Sequence, residues 1–170
     1  SLFNKFYIAF SKTFSNSGSS LDKFFFPLDS IGNFNKIYGR NGLIQFHCIV
    51  PTDNFISFFN NLNKGIKRNQ IVPTLSILKK LKKEDHFLSF PIDGFAIAID
   101  FKRTKKNKSF VIYLNKLCSQ HGGRVYLTKD STLNSDLFNE MYNKKEFEFV
   151  RQKYSLNQFQ SSLSNRLQIL

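Results

Sequence analysis

The sequence predicts an α+β fold, a β-α-β-β-α-β unit over residues 42–130 followed by an all-α tail over 131–170. Three observations predict it. Short apolar runs bounded by glycine or proline recur between residues 42 and 128, helical stripes separate them in pairs, and beyond residue 130 only helical spacing remains.

Leu43 to Val50, held between Gly42 and Pro51, reads as the first strand. Thr52 stands where it can cap a helix carrying Phe55, Phe59, Leu62 and Ile66 at spacings of four, three and four. Thr74–Leu78 is the second strand, and the basic, polar run Lys79–Asp85 is a turn. Phe95–Phe101, introduced by Asp93-Gly94, is the third strand. Phe110, Leu114, Leu117, Cys118 and His121 share one helical face, and Gly122-Gly123 ends that helix because glycine tolerates a left-handed cap. Arg124–Thr128 is the fourth strand. Asn134 caps a helix through Tyr142, and 144–154 and 157–168 also read as helical. This order is ferredoxin-like: an antiparallel sheet with both helices on one face. Residues 1–41 form an N-terminal segment leading into it, with a loop at Ser15–Ser20 and an aromatic run, Phe24–Phe26, closed by Pro27.

Composition narrows the class. Of 170 residues, 41% are hydrophobic and 16% aromatic, enough apolar surface to offset the entropy of ordering and exclude intrinsic disorder. Collagen-like, disulfide-framework and simple coiled-coil classes are excluded as well. With 25 Lys+Arg against 12 Asp+Glu, the formal net charge is +13. Such a charge suits nucleic acid, an anionic membrane surface or a phosphorylated ligand, or it reflects background composition rich in Lys, Asn, Ile and Phe. Cys48 and Cys118 lie outside any CxxC pattern and read as buried, reduced thiols. No apolar stretch approaches the roughly 18–20 residues that cross a bilayer. The start at Ser1 looks like a cut edge, so a longer protein is expected. The expected location is cytoplasmic, with peripheral membrane association left open.

RNA binding by the sheet would need stacking aromatics on the third strand. Asp93-Gly94-Phe95-Ala96-Ile97-Ala98-Ile99-Asp100 echoes such a motif but puts Ile97 at a stacking position and an acid at each end, which repels phosphate. His47, His86 and His121 fall on three elements without ligand spacing, so no metal site is expected. The run Gly123–Asp130 is more informative. It sets Tyr126 and Lys129 where a strand gives way to a loop, and a lysine there is a compact charge for a phosphate, an enolate or an anionic cofactor. The plainer reading pairs Lys129 with Asp130 in solvent.

Several short stretches then fall into one order. They are Phe26-Pro27-Leu28-Asp29, Asn35-Lys36-Ile37-Tyr38-Gly39-Arg40, Gly42–Phe46, Leu88-Ser89-Phe90-Pro91-Ile92 with Gly94-Phe95, and Ala98–Phe101. Gly122–Asp130, Met141-Tyr142 and Arg166-Leu167 complete the set. Together they resemble the C-terminal substrate and cap region of FAD-linked oxidases of the vanillyl-alcohol-oxidase type, nearest the decaprenylphosphoryl-ribose oxidase group. The resemblance implies an FAD-binding domain upstream of Ser1 as partner, and hydride transfer from a sugar-type or polyol alcohol to the flavin. It assigns Tyr126 and Lys129 to the cofactor, Lys129 to the chemistry, and Gln45, His47, Lys79 and Phe25 to the substrate. Lys79 matches only with a one-residue gap nearby. Phe25 and His47 stand where the relatives carry a tyrosine and a glutamine, and Ala96 and Ala98 where they carry Asn and Cys. Those departures leave a lipid-linked sugar, a free sugar, a polyol or a lactone as substrate classes. The chain has no Gly-rich phosphate cradle and no covalent-flavin histidine, so alone it is expected to be inert. The competing expectation is a stand-alone basic module that binds RNA or an anionic surface.

Overall fold

The computed structural model describes residues 39–169, together with the isolated positions 20, 21, 32 and 36. Phe25, the stretch Phe26–Asp29 and most of Asn35–Tyr38 lie outside the described residues. The chain divides into two units, Ser1–Ile37 and Tyr38–Leu170, and everything below belongs to the second.

Strand β1 (Leu43–Pro51) buries alternate residues because one face of its pleat meets the helices: Ile44, Phe46, Cys48 and Val50 point inward. Helix α1 (Thr52–Arg68) follows without a loop. Thr52 is its first helical residue rather than its cap; Pro51 holds the cap position, and no side chain closes that end. Strands β2 (Leu75–Leu81) and β3 (Gly94–Lys102) come next, then α2 (Lys105–Gln120), whose first turn is closed by the Thr104 hydroxyl accepting from the Asn107 amide at 3.1 Å. Strand β4 is only Arg124–Val125, and the chain then tightens into a 3-10 turn, Leu127–Lys129. The sheet order is β2-β3-β1-β4 with every neighbouring pair antiparallel, so the ferredoxin-like α+β expectation holds.

The core lies between one sheet face and the two helices. Phe46, Ile97, Ile99 and Phe101 from the sheet meet Phe55, Phe58 and Leu62 of α1 and Phe110, Leu114 and Cys118 of α2. Each large apolar side chain taken fully out of water contributes about 1.5–3 kcal/mol. Phe58, not Phe59, is the ring that α1 sinks into this layer; Phe59 remains 37% exposed. His121 caps the end of α2 as a structural residue, its Nδ1 donating to the Leu117 carbonyl at 2.8 Å and its ring edge lying against Phe58.

Helices α3 (Ser135–Met141), α4 (Lys145–Lys153) and α5 (Ser162–Leu167) follow. Asn134 caps α3 as expected, accepting from the Leu137 amide at 3.1 Å. The helix expected over 157–168 is broken: a 3-10 turn occupies Leu156–Gln158, and α5 starts afresh at a capping box made by Ser161 and Ser164. Phe138, Met141, Tyr142 and Leu167 join the same buried cluster as the sheet. The C-terminal helices therefore share the core of the β-α-β-β-α-β unit. Among the described residues, no helix is long and apolar enough to cross a membrane.

Both cysteines are free and buried, as expected from their settings. Burial, reinforced by the neighbouring Cys118 thiol, pushes the Cys48 thiol well above its usual range, so the reactive thiolate is scarce. Alkylation at pH 8 followed by peptide mapping should leave Cys48 and Cys118 unmodified in the native protein and modify both in denaturant.

Candidate functional site

One face of the sheet carries the helices, and the antiparallel register dictates what the other face presents. Across β2, β3 and β1 it sets Lys79 beside Ala96 and Ile49, Ile77 beside Ala98 and His47, and Leu75 beside Asp100 and Gln45. The central strand thus offers two alanines. Their small side chains leave room above the sheet, and the larger residues of the flanking strands form its walls.

The walls are built by β4 and the segment before β3. The Tyr126 amide donates to the His47 carbonyl at 2.8 Å, so pairing with β1 persists one residue past β4 and brings Tyr126 alongside His47. The two rings meet edge-on at 5.0 Å, and Phe90 closes the group at 5.2 Å from His47 and 4.8 Å from Tyr126. Phe90 is held there by Arg124, whose guanidinium donates to the Ser89 carbonyl at 2.7 Å and lies over the Tyr142 ring. Tyr142 in turn donates its hydroxyl to the Val125 carbonyl at 2.7 Å. Burial raises the Tyr142 phenol far above its ordinary value, so it stays a proton donor to that carbonyl.

These parts enclose a cleft of about 540 Å³. Its polar lining is His47, Lys79, Tyr126, Thr128 and Tyr142, and its apolar lining includes Leu81, Leu88, Phe90, Pro91 and Ala96. Among the described residues, no carboxylate lines it. The volume and the mix of an apolar wall with a few polar groups suit a small organic ligand.

Three of the sequence-expected residues, His47, Lys79 and Tyr126, are therefore brought together from three strands or strand ends. Lys129 follows one turn later; it is exposed and stands outside the cleft wall, near enough for its charge to act on His47. It does not pair with Asp130. That carboxylate is turned inward, 1% exposed, and meets Arg166 of α5 at 2.8 Å while accepting from the Thr132 and Leu133 amides at 2.8 and 2.9 Å. No ion pair to Lys129 exists among the described residues. Gln45 lies one row beyond His47 and is committed to Asp100, to which its amide donates at 2.5 Å; it does not line the cleft. Phe25 falls outside the described residues.

His47 is the electrostatic centre of the group. Burial lowers its pKa first, and the charges of Lys79 and Lys129 lower it further, so the neutral imidazole prevails at pH 7. Sequence reasoning passed over Phe90, Arg124 and Tyr142 as builders of the site. The only signal was their presence within the matching stretches Leu88–Ile92, Gly122–Asp130 and Met141-Tyr142.

Over 164 residues, 94% of its length, the chain is 32% identical to the decaprenylphosphoryl-beta-D-ribose oxidase of Mycolicibacterium smegmatis. The chain is a relative of that oxidase. The resemblance read from the short ordered stretches is thereby shown, and it spans nearly the whole chain. The chain covers 35% of that relative's length. No protein-family model matches it. The RNA-binding expectation gains nothing from the geometry: Ile97, at the stacking position, faces the core, and the central strand's other face carries Ala96 and Ala98 rather than rings.

Proposed function

We propose that this chain is the substrate-binding, or cap, part of an FAD-dependent oxidoreductase that oxidises a sugar-type or polyol alcohol. The observation that carries the reading is the convergence of His47, Lys79 and Tyr126 on one cleft in a chain related to a ribose oxidase. FAD bound by a partner domain would supply the acceptor for the alcohol's hydride. The residues present fit a flavin. The cleft is small-sided at Ala96 and flanked by the Phe90 and Tyr126 rings, which suits a planar ring, and Lys129 is a cation without a carboxylate partner among the described residues. Tyr126 and Lys129 are the residues that would meet it.

The chain's own contribution is binding, orientation and charge. Phe90, Pro91 and Leu88 exclude water from one side of the cleft. Lys79, rising from β2 at the opposite wall, offers a positive charge to a hydroxyl or to a phosphate borne by the substrate. Lys129, exposed beside the cleft, would add a positive charge that favours negative charge as it develops.

Lys129→Ala tests the reading in the full-length, flavin-loaded protein. Removing one preorganised donor typically costs about 10²–10³ in rate, and an exposed charge contributes less, so flavin reduction followed anaerobically by stopped-flow absorbance should slow by about 10-fold. Because Lys129 is exposed, the thermal midpoint should barely move. Unchanged reduction kinetics would remove Lys129 from the mechanism.

A further inference from the structure

We infer that His47 is the proton acceptor of this site: its imidazole takes the hydroxyl proton of the bound alcohol as the carbinol carbon gives up its hydride. The inference rests on the proposed oxidation of an alcohol and names the residue that would act as its base.

The geometry singles out His47. An alcohol oxidised by hydride loss must also lose its O–H proton, and the cleft wall offers few acceptors. Among the described residues no carboxylate lines it, and Lys79 enters as a cation. The Tyr142 hydroxyl is committed to the Val125 carbonyl. Of the described histidines, His47 alone lines the cleft. His121 spends its Nδ1 on the Leu117 carbonyl, with Ser57 Oγ 3.4 Å from its Nε2, whereas no ring nitrogen of His47 is hydrogen-bonded to a described residue. His47 is also held in place. Phe90 and Tyr126 meet its ring edge-on, and its strand is paired on both sides, with Ala98 opposite it on β3 and Tyr126 bonded to its carbonyl. A base fixed this way loses little orientational freedom when substrate binds.

As the hydroxyl O–H breaks, its proton bonds to a free nitrogen of His47. FAD held by the partner domain would supply the two-electron acceptor for the hydride lost from the carbinol carbon, so that the alcohol would leave as a carbonyl compound. The imidazolium then releases its proton to solvent. The groups facing His47 favour that release: Lys79 from β2 and Lys129 from the turn after β4 repel a second positive charge, and Tyr126 and Tyr142 bring no negative one. Burial is the larger cause and the two lysines add to it, so His47 is unprotonated and ready above its lowered pKa and disabled below it.

The test uses the full-length, flavin-loaded enzyme with decaprenylphosphoryl-β-D-ribose as probe, and free pentoses and pentitols as further probes. The flavin-reduction rate of the natural protein should fall with acid along a single limb below pH 6.5, and the NMR titration of the His47 imidazole should share its midpoint. His47→Gln should slow reduction by about 100-fold at pH 8 and abolish the limb. His47→Ala should be equally slow and regain rate with added imidazole, which a merely structural role would not allow. Thermal midpoints of both variants establish that they are folded. A His47→Gln enzyme with natural rate and pH profile, a limb whose midpoint differs from that of the imidazole, or the absence of imidazole rescue would overturn the assignment while leaving the proposed function standing. If no probe reduces the flavin of the natural protein at any pH, the proposed function fails and the role of His47 falls with it.

Discussion

Asp130→Ala is expected to lower the stability of the full-length protein by about 3 kcal/mol, read as a drop in the denaturant midpoint with unchanged slope. The side chain makes three contacts at once. It accepts from the Thr132 and Leu133 amides and pairs with Arg166, and it is almost wholly out of water. Alanine leaves the two amides without that acceptor and Arg166 without its counter-charge. The Arg166 guanidinium is about one-third exposed and also donates to the Leu133 carbonyl, so it can partly rehydrate, which keeps the loss at the lower end for a broken buried pair. Asp130→Asn should cost less, because an amide oxygen can still accept from the two backbone groups. The effect should reach the cleft. Asp130 ties the end of the Tyr126–Lys129 segment to α5, so Asp130→Ala should also slow flavin reduction in parallel with Lys129→Ala, through misplacement rather than loss of charge.

The same residue shows what the sequence could and could not say. Asp130 follows Lys129 directly, and adjacency suggests a solvent pair. The structure instead uses the carboxylate to fold the chain back, a contact with a residue 36 positions away that no local pattern announces. Strand β4 is shorter than its pattern as well: Val125 and Leu127 alternate as a strand should, yet the chain enters a 3-10 turn at Leu127, just ahead of Asp130. Strands β1 and β3 were legible because their inward faces are continuous and apolar. From the sequence β2 ends at Leu78, because Lys79 and Lys80 read as a turn. It is an edge strand, exposed on both sides of its pleat, where lysine is common and alternation carries no signal. In α1, the adjacent rings Phe58 and Phe59 satisfy i+3 and i+4 spacing from Phe55 equally well. Only the packing against the sheet decides for Phe58.

The cleft was legible through resemblance and not through pattern. His47, Lys79 and Tyr126 are far apart in sequence, and no spacing rule joins them. Their meeting depends on register: Lys79 opposite Ala96 and His47 opposite Ala98 place two strand-borne groups on one face, and the His47–Tyr126 backbone bond adds the third. Resemblance also assigns Gln45 to the substrate; in the sheet it is hydrogen-bonded to Asp100, one row beyond His47.

Gly123→Ala should be at least as damaging, and it separates two glycines that look alike in the sequence. Gly122 ends α2 by adopting a left-handed conformation, φ +67°, with its amide donating to the Ser119 carbonyl at 2.8 Å. Gly123 has a different reason to lack a side chain. A Cβ there would sit 2.6 Å from the Ile49 carbonyl oxygen and 2.6 Å from the Cys118 sulfur. The sulfur belongs to a fully buried residue and the oxygen to β1, whose Ile49 pairs with Arg124, so neither can retreat without opening the β1–β4 edge or the core. Overpacking of this kind costs about 1–3 kcal/mol where a side chain can yield, and more where the obstacle is backbone. We therefore expect a loss of about 3 kcal/mol or more by chemical denaturation for Gly123→Ala, against about 1 kcal/mol for Gly122→Ala, whose Cβ would meet only side-chain atoms at 3.8 Å and whose cost is the left-handed backbone. Because displacement of β4 would carry Arg124 and Tyr126 with it, the Gly123 variant should also lose the Phe90 wall, and Tyr126 should become more solvent-exposed by near-UV absorbance. Equal destabilisation at the two glycines would mean that β1 and α2 yield at this contact, and the rigidity assigned to the cleft's inner wall would be wrong.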